Sequence, residues 1–119
     1  MQRAHEKLEV WQDAMTLVEH IYALTGRLPK HEQFGLISQM RRAAISIPSN
    51  IAEGAARNGD KEFIRFLFIA RGSLAELETQ IKISIRLKYV DTENSLLPIC
   101  NRVFAKLSGL INSLKLKQM

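Results

Sequence analysis

Side chains capable of chemistry are few in this sequence, and their spacing opposes the usual catalytic arrangements. Glu76 and Glu78 stand two residues apart in a helical stretch. They point to different faces and cannot act together as acid and base. The three histidines, His5, His20 and His31, show no metal-ligand spacing, and each is expected at the surface. The Glu-x-x-His pairs that hold metals inside helical bundles do not occur. Gly54 and Gly59 lack the following Lys-Ser/Thr of a phosphate loop. Cys100 is the sole cysteine and sits among Ile99, Val103 and Phe104 at helical spacing, which predicts a buried structural thiol. The expectation is a non-enzymatic protein with no catalytic, cofactor-binding or metal-binding residue.

The net charge of +5 is unevenly distributed. Residues 1–60 carry seven basic and seven acidic side chains, residues 61–119 ten and five. After Glu93 no acid follows, only Arg102, Lys106, Lys115 and Lys117. Such asymmetry fits an anionic partner such as RNA or DNA. It equally fits a solvated face with cations near a helix C-terminus. Lys82 and Arg86 are one turn apart, as are Arg102 and Lys106, so with Lys88 they form the candidate phosphate-contacting set. Tyr89, beside Arg86 and Lys88, is the only evident aromatic on which a base could stack. No run approaches the ~20 apolar residues that span a bilayer, so no membrane partner is expected. The first residues carry no apolar signal core, and a cytoplasmic location is the corresponding expectation.

The elements that would position these groups are helices. Leu8, Trp11, Met15, Val18 and Tyr22 recur at steps of three and four, predicting a helix over about 8–25 that stops at Gly26 before Pro29. Ile37, Met40, Ala44, Ile47 and Ile51 give a second helix over about 32–57. Pro48 removes one backbone donor inside it, so a kink is expected there. Asn58-Gly59 is a turn signal, with Asp60 the candidate N-cap of a third helix over about 61–88. Its stripe is Phe63, Leu67, Ala70, Leu74, Leu77 and Ile81. Asp91 is the N-cap candidate of a fourth, over about 92–116, with Leu96, Cys100, Val103, Leu107, Leu110 and Leu114 inward and Pro98 tolerated near its start. The fold class is all-α: one domain, an antiparallel up-and-down four-helix bundle with a Pro-kinked second helix.

Between Phe63 and Ala70 every residue except Arg65 is apolar. A helix apolar all round needs cover on more than one side, so Phe66, Phe68 and Ile69 are candidates for contact with another subunit. The same helix carries a polar stripe, Ser73, Glu76 and Gln80, and the second helix a matching one, Arg42, Ser46, Asn50, Glu53 and Arg57. These are either solvent faces or a hydrogen-bonded network that sets helix pairing.

Three segments carry a resemblance: Gln39 to Ala44, Ser46 to Gly54 (SIPSNIAEG), and Gly72 to Glu78 (GSLAELE). Together with Val10-Trp11-Gln12 and with Leu28-Pro29 and Glu32, they resemble the bacterial four-helix-bundle proteins encoded in 23S rRNA intervening sequences. The resemblance covers nearly the whole chain, and its most specific part is the run from Ser46 to Gly54. It implies an up-and-down bundle that assembles as a homopentamer with no enzymatic activity; composition alone permits a dimer as readily. A related group serves as accessory proteins of diversity-generating retroelements, with a basic surface contacting nucleic acid and a reverse transcriptase. The resulting expectation is an oligomeric scaffold or adaptor whose basic surface binds RNA or DNA. The alternative is a protein–protein interaction module whose charge serves solubility.

Overall fold

The computed structural model describes residues 2–92 and 96–119. A short 3-10 turn at Ala4–Lys7 precedes four α-helices: α1 Glu9–Thr25, α2 Leu36–Ala56, α3 Asp60–Arg86 and α4 Leu97–Lys117. The described residues contain no strand.

α1 ends where the predicted stop lies, although Gly26 keeps right-handed backbone angles. The buried Thr25 hydroxyl donates back to the Ile21 carbonyl at 2.7 Å, and the Arg41 Nε donates to that hydroxyl at 2.8 Å. α2 starts four residues later than the predicted Glu32. Lys30–Glu32 forms a separate 3-10 turn, and Gly35 leaves helical geometry at φ −112°, ψ −110°. Glu32 instead accepts the Leu36 amide at 3.2 Å, answering one of the unpaired donors of the new helix. α2 is continuous through Pro48, which is buried. Asp60 is the first residue of α3 rather than its cap. The cap is Gly59, whose φ of 97° an L side chain adopts only with strain. α4 opens at Leu97 with Pro98 in its first turn, so Asp91 is not its N-cap; residues 93–95 of the predicted helix start lie outside the described residues.

α1 packs on α2 and α4, and α3 packs on the same two, so the helices stand at the corners of a square in chain order. Contacts between neighbours run in reverse sequence order. Met40 meets Ser84, Ser46 meets Ser73, and Gly54 faces Phe66; likewise Arg71 reaches Ser108 and Asp60 reaches Lys117. α2 and α3, and α3 and α4, therefore run in opposite directions. The molecule measures 47 × 26 × 20 Å, the long dimension set by α3 at about 40 Å.

The core is built from Leu17, Ile21, Met40, Ile47, Ile51, Leu67, Leu74, Leu77, Ile81, Leu107 and their neighbours. Cys100 is buried. On α1 the inward row is Val10, Ala14, Leu17, Ile21 and Leu24, not the predicted Leu8–Trp11–Met15–Val18–Tyr22 stripe. Met15 and Tyr22 stand 41% and 40% exposed. Both rows have helical spacing, and packing against α4 selects the one turned toward it.

Candidate interaction surfaces

The polar stripes of α2 and α3 meet only in part. Ser46 and Ser73 hydroxyls lie 2.8 Å apart, and the Asn50 side-chain amide donates to the Ser46 carbonyl at 2.7 Å and to its hydroxyl at 2.9 Å. Glu53 pairs with Arg57 at 2.7 Å, one turn along α2. Arg42 and Glu76 are exposed and are not joined to that cluster. Gln80 is buried, its Oε1 without a hydrogen-bond partner. The stripes thus supply one helix-pairing cluster, Ser46–Asn50–Ser73, with solvated charges around it.

The five cations singled out in the sequence divide between two sides. Arg102 and Lys106 turn toward α1. Arg102 Nε lies 3.5 Å from Asp13 and Lys106 Nζ 3.6 Å from Glu9, while Lys106 also donates to Asp13. That hydrogen bond holds the Lys106 ammonium above its ordinary value. Lys82, Arg86 and Lys88 are exposed on and just beyond α3. Tyr89 is half-buried against the core. Its hydroxyl donates to Glu32 at 3.0 Å and lies 3.3 Å from His31 Nε2, whose ring meets it edge-on. Desolvation, then the hydrogen bond to Glu32, raises the phenol's pKa.

Of the three proposed interface residues, Phe66 is buried within its own chain. It packs where Gly54 permits close approach, with Arg57 and Arg65 over its ring at 5.2 and 4.5 Å. It has little surface left to offer a subunit, being 6% exposed. Phe68 and Ile69 remain 38% and 41% exposed, about 100° apart around the helix. Phe68 leans toward α4, where Arg71 lies over both its ring and that of Phe104, at 4.8 and 5.5 Å. Lys115 covers Phe68 from the other helix at 5.0 Å, and Arg71 donates to the Ser108 hydroxyl at 3.0 Å. This ridge of two aromatics and two cations on the α3–α4 seam escapes sequence reading because its members come from two helices. Its one local signal is Arg71, three residues after Phe68.

On the α1–α2 seam the rejected apolar stripe of α1 forms a groove of about 330 Å³ with α2, lined by His5, Trp11, Met15, Val18, Ile45, Pro48, Ser49 and Ala52. The His5 ring, part of this lining, stands edge-on to Trp11 at 5.2 Å. Among the described residues no group of three His, Cys, Asp or Glu is placed to hold a metal ion, and no helix is long and apolar enough to cross a membrane.

The sequence pattern of the 23S rRNA-intervening sequence proteins matches residues 6–109. The chain belongs to this family. No curated protein matches it. The family match takes in both seams, the groove from Trp11 to Ala52 and the ridge residues Phe68, Arg71, Phe104 and Ser108; only His5 and Lys115 fall outside. The family description names a genetic setting and no reaction.

Proposed function

We propose that this 23S rRNA-intervening sequence protein is a non-enzymatic scaffold or adaptor that works as a homo-oligomer. The observation that carries the reading is the α1–α2 groove: Met15 and Ile45 lie 41% and 43% exposed over a cavity of about 330 Å³. Apolar side chains gathered along one groove, rather than scattered singly over the surface, fit a contact with a partner. The family resemblance supports five subunits in a closed assembly, which leaves no unsatisfied surface. Light scattering on the purified protein at tens of micromolar tests the reading. A multiple of the 13.6 kDa chain mass is expected; a monomer refutes self-association, and a dimer refutes the stoichiometry.

A second reading, binding of RNA or DNA, rests on Lys82, Arg86 and Lys88, which stay exposed. With Arg102 and Lys106 paired to α1 acids and Tyr89 engaged by Glu32, fewer cations are free for phosphate than the sequence suggests. Binding to random-sequence RNA and duplex DNA is therefore expected to be weak and to fall with salt over few phosphate contacts. No binding at low salt removes this reading.

A further inference from the structure

We propose that the C-terminal end of α3 is a two-state element, held short by the hydrogen bond from Tyr89 to Glu32 and able to wind onward by a further turn when that bond is released. The latch ties the residues just after α3 to the connection between α1 and α2.

Local sequence does not account for where α3 stops. No glycine or proline occurs between Arg86 and Pro98, and Leu87 and Lys88 are both good helix formers. α3 nevertheless ends at Arg86. The Lys88 amide donates to the Ile85 carbonyl at 3.0 Å and the Tyr89 amide to the Ser84 carbonyl at 2.9 Å, the pair of bonds that closes a helix around one left-handed residue. That residue is ordinarily glycine. Here it is Lys88, at φ 64°, the one residue other than glycine at positive φ among the described residues. Its Cβ crowds the following carbonyl in that conformation, so the chain taken locally prefers right-handed angles and a longer helix.

What opposes that preference is a tertiary contact. The turn at Lys88 delivers Tyr89 to the α1–α2 connection, where its hydroxyl donates to Glu32 Oε2 at 3.0 Å and lies 3.3 Å from His31 Nε2. The acceptor is itself held. Glu32 Oε1 accepts the Leu36 amide at 3.2 Å, and a Cβ at Gly35 would stand 2.8 Å from that oxygen, so glycine at position 35 leaves the carboxylate its place. Packing around the latch is incomplete. Tyr89 and Val90 are half-buried against the core, yet a cavity of about 110 Å³ remains between them and Leu24, Arg27 and Asp91. With Lys88 right-handed, the chain after it would follow the α3 axis and the Tyr89 hydroxyl would leave Glu32. Bond and backbone strain thus oppose each other across a single residue. Release would also uncover Leu24, now 2% exposed, on the side of that cavity.

Nuclear magnetic resonance of the isotope-labelled full chain tests the latch. Cα chemical shifts at residues 87–90 separate a left-handed Lys88 from a helical one, and saturation-transfer experiments detect the minor state. Tyr89→Phe keeps the ring and removes the hydroxyl. A hydrogen bond to a charged group is worth about tenfold or more in an equilibrium, so the ratio of helical to latched signal is expected to rise by about that factor. Adding Lys88→Gly removes the cost of positive φ and disfavours helix, and should return the ratio to the native one or below. If circular dichroism shows that Tyr89→Phe loses helix, Glu32→Gln takes its place, since a neutral acceptor holds the hydroxyl more weakly and the ratio should again rise. The proposal is overturned if the weakened latch leaves Lys88 left-handed with no gain of helical signal, or if that signal persists undiminished once Lys88→Gly is added.

Discussion

Replacing Gly54 by alanine sets two known effects against each other in one measurement. Alanine within a helix is favoured over glycine by about 1 kcal/mol. At Gly54, however, the added methyl lies 2.6 Å from the Phe66 Cβ, 3.1 Å from Phe63 Cδ1 and 3.3 Å from the Phe63 carbonyl oxygen. Carbon atoms prefer about 3.5–4.0 Å. The obstructing Cβ is fixed to the α3 backbone, so α2 and α3 must separate. Overpacking of this kind costs about 1–3 kcal/mol, to which the parting of Ser46 from Ser73, now 2.8 Å apart, adds. We expect a net loss of about 1–2 kcal/mol after the propensity gain. At about 2.1 cal/mol/K of unfolding entropy per residue, this lowers the midpoint by about 4–8 °C. The control is Gly109→Ala in α4, where the added carbon meets nothing within 4 Å; it should raise stability by about 0.5–1 kcal/mol. Thermal unfolding followed at 222 nm, at one protein concentration, reads both. If Gly54→Ala is as stable as the native protein, the α2–α3 approach is not limited by backbone contact and the reasoning fails.

Cys100 should resist iodoacetamide in the native protein near neutral pH and react only on unfolding, because burial, then the Glu78 charge, pushes its thiol up to about 12. The folded value exceeds the ordinary 9.0; the stability of the neutral thiol is thus complete below pH 9.0 and is lost as pH rises toward 12, which Cys100→Ala should flatten in an alkaline denaturation series. Gln80→Met removes a buried acceptor without a partner at similar volume. It should leave stability unchanged or raise it by up to about 1 kcal/mol in urea titration, and a loss above 1 kcal/mol would show that the amide is satisfied in solution. A double-mutant cycle on Asp13→Ala and Lys106→Ala should yield a small favourable coupling that shrinks in high salt; none at low salt would dissolve the α1–α4 link.

Sequence periodicity found all four helices because each carries an inward row at steps of three and four. It misjudged the direction α1 faces. Val10–Leu24 and Leu8–Tyr22 both have that spacing, and only the position of α4 decides between them. Phe66 was read as surplus because a one-dimensional count of apolar residues sees no neighbour; Gly54, on another helix, makes room for it. The basic set divides for the same cause. Lys106 looks free along α4, yet Asp13, which holds it, is ninety-three residues earlier. The Ser46–Asn50–Ser73 cluster was legible because its members lie on stripes that face each other.

Only Arg57, Asn58 and Gly59 separate α2 from α3, with Gly59 at positive φ turning the chain. So small a loop costs little closure entropy, and the two helices it joins meet along their length, from Gly54–Phe66 to Met40–Ser84. This hairpin contains the chain's most sequence-local tertiary contacts, and topology of that kind sets folding speed. The folding nucleus should therefore lie in α2–α3, giving high φ-values at Ile47 and Leu74, while truncations of Leu107 in α4 should mainly accelerate unfolding. On a ribosome, α1 would then wait for the hairpin, residues 36–86, to emerge before it gained a lasting partner.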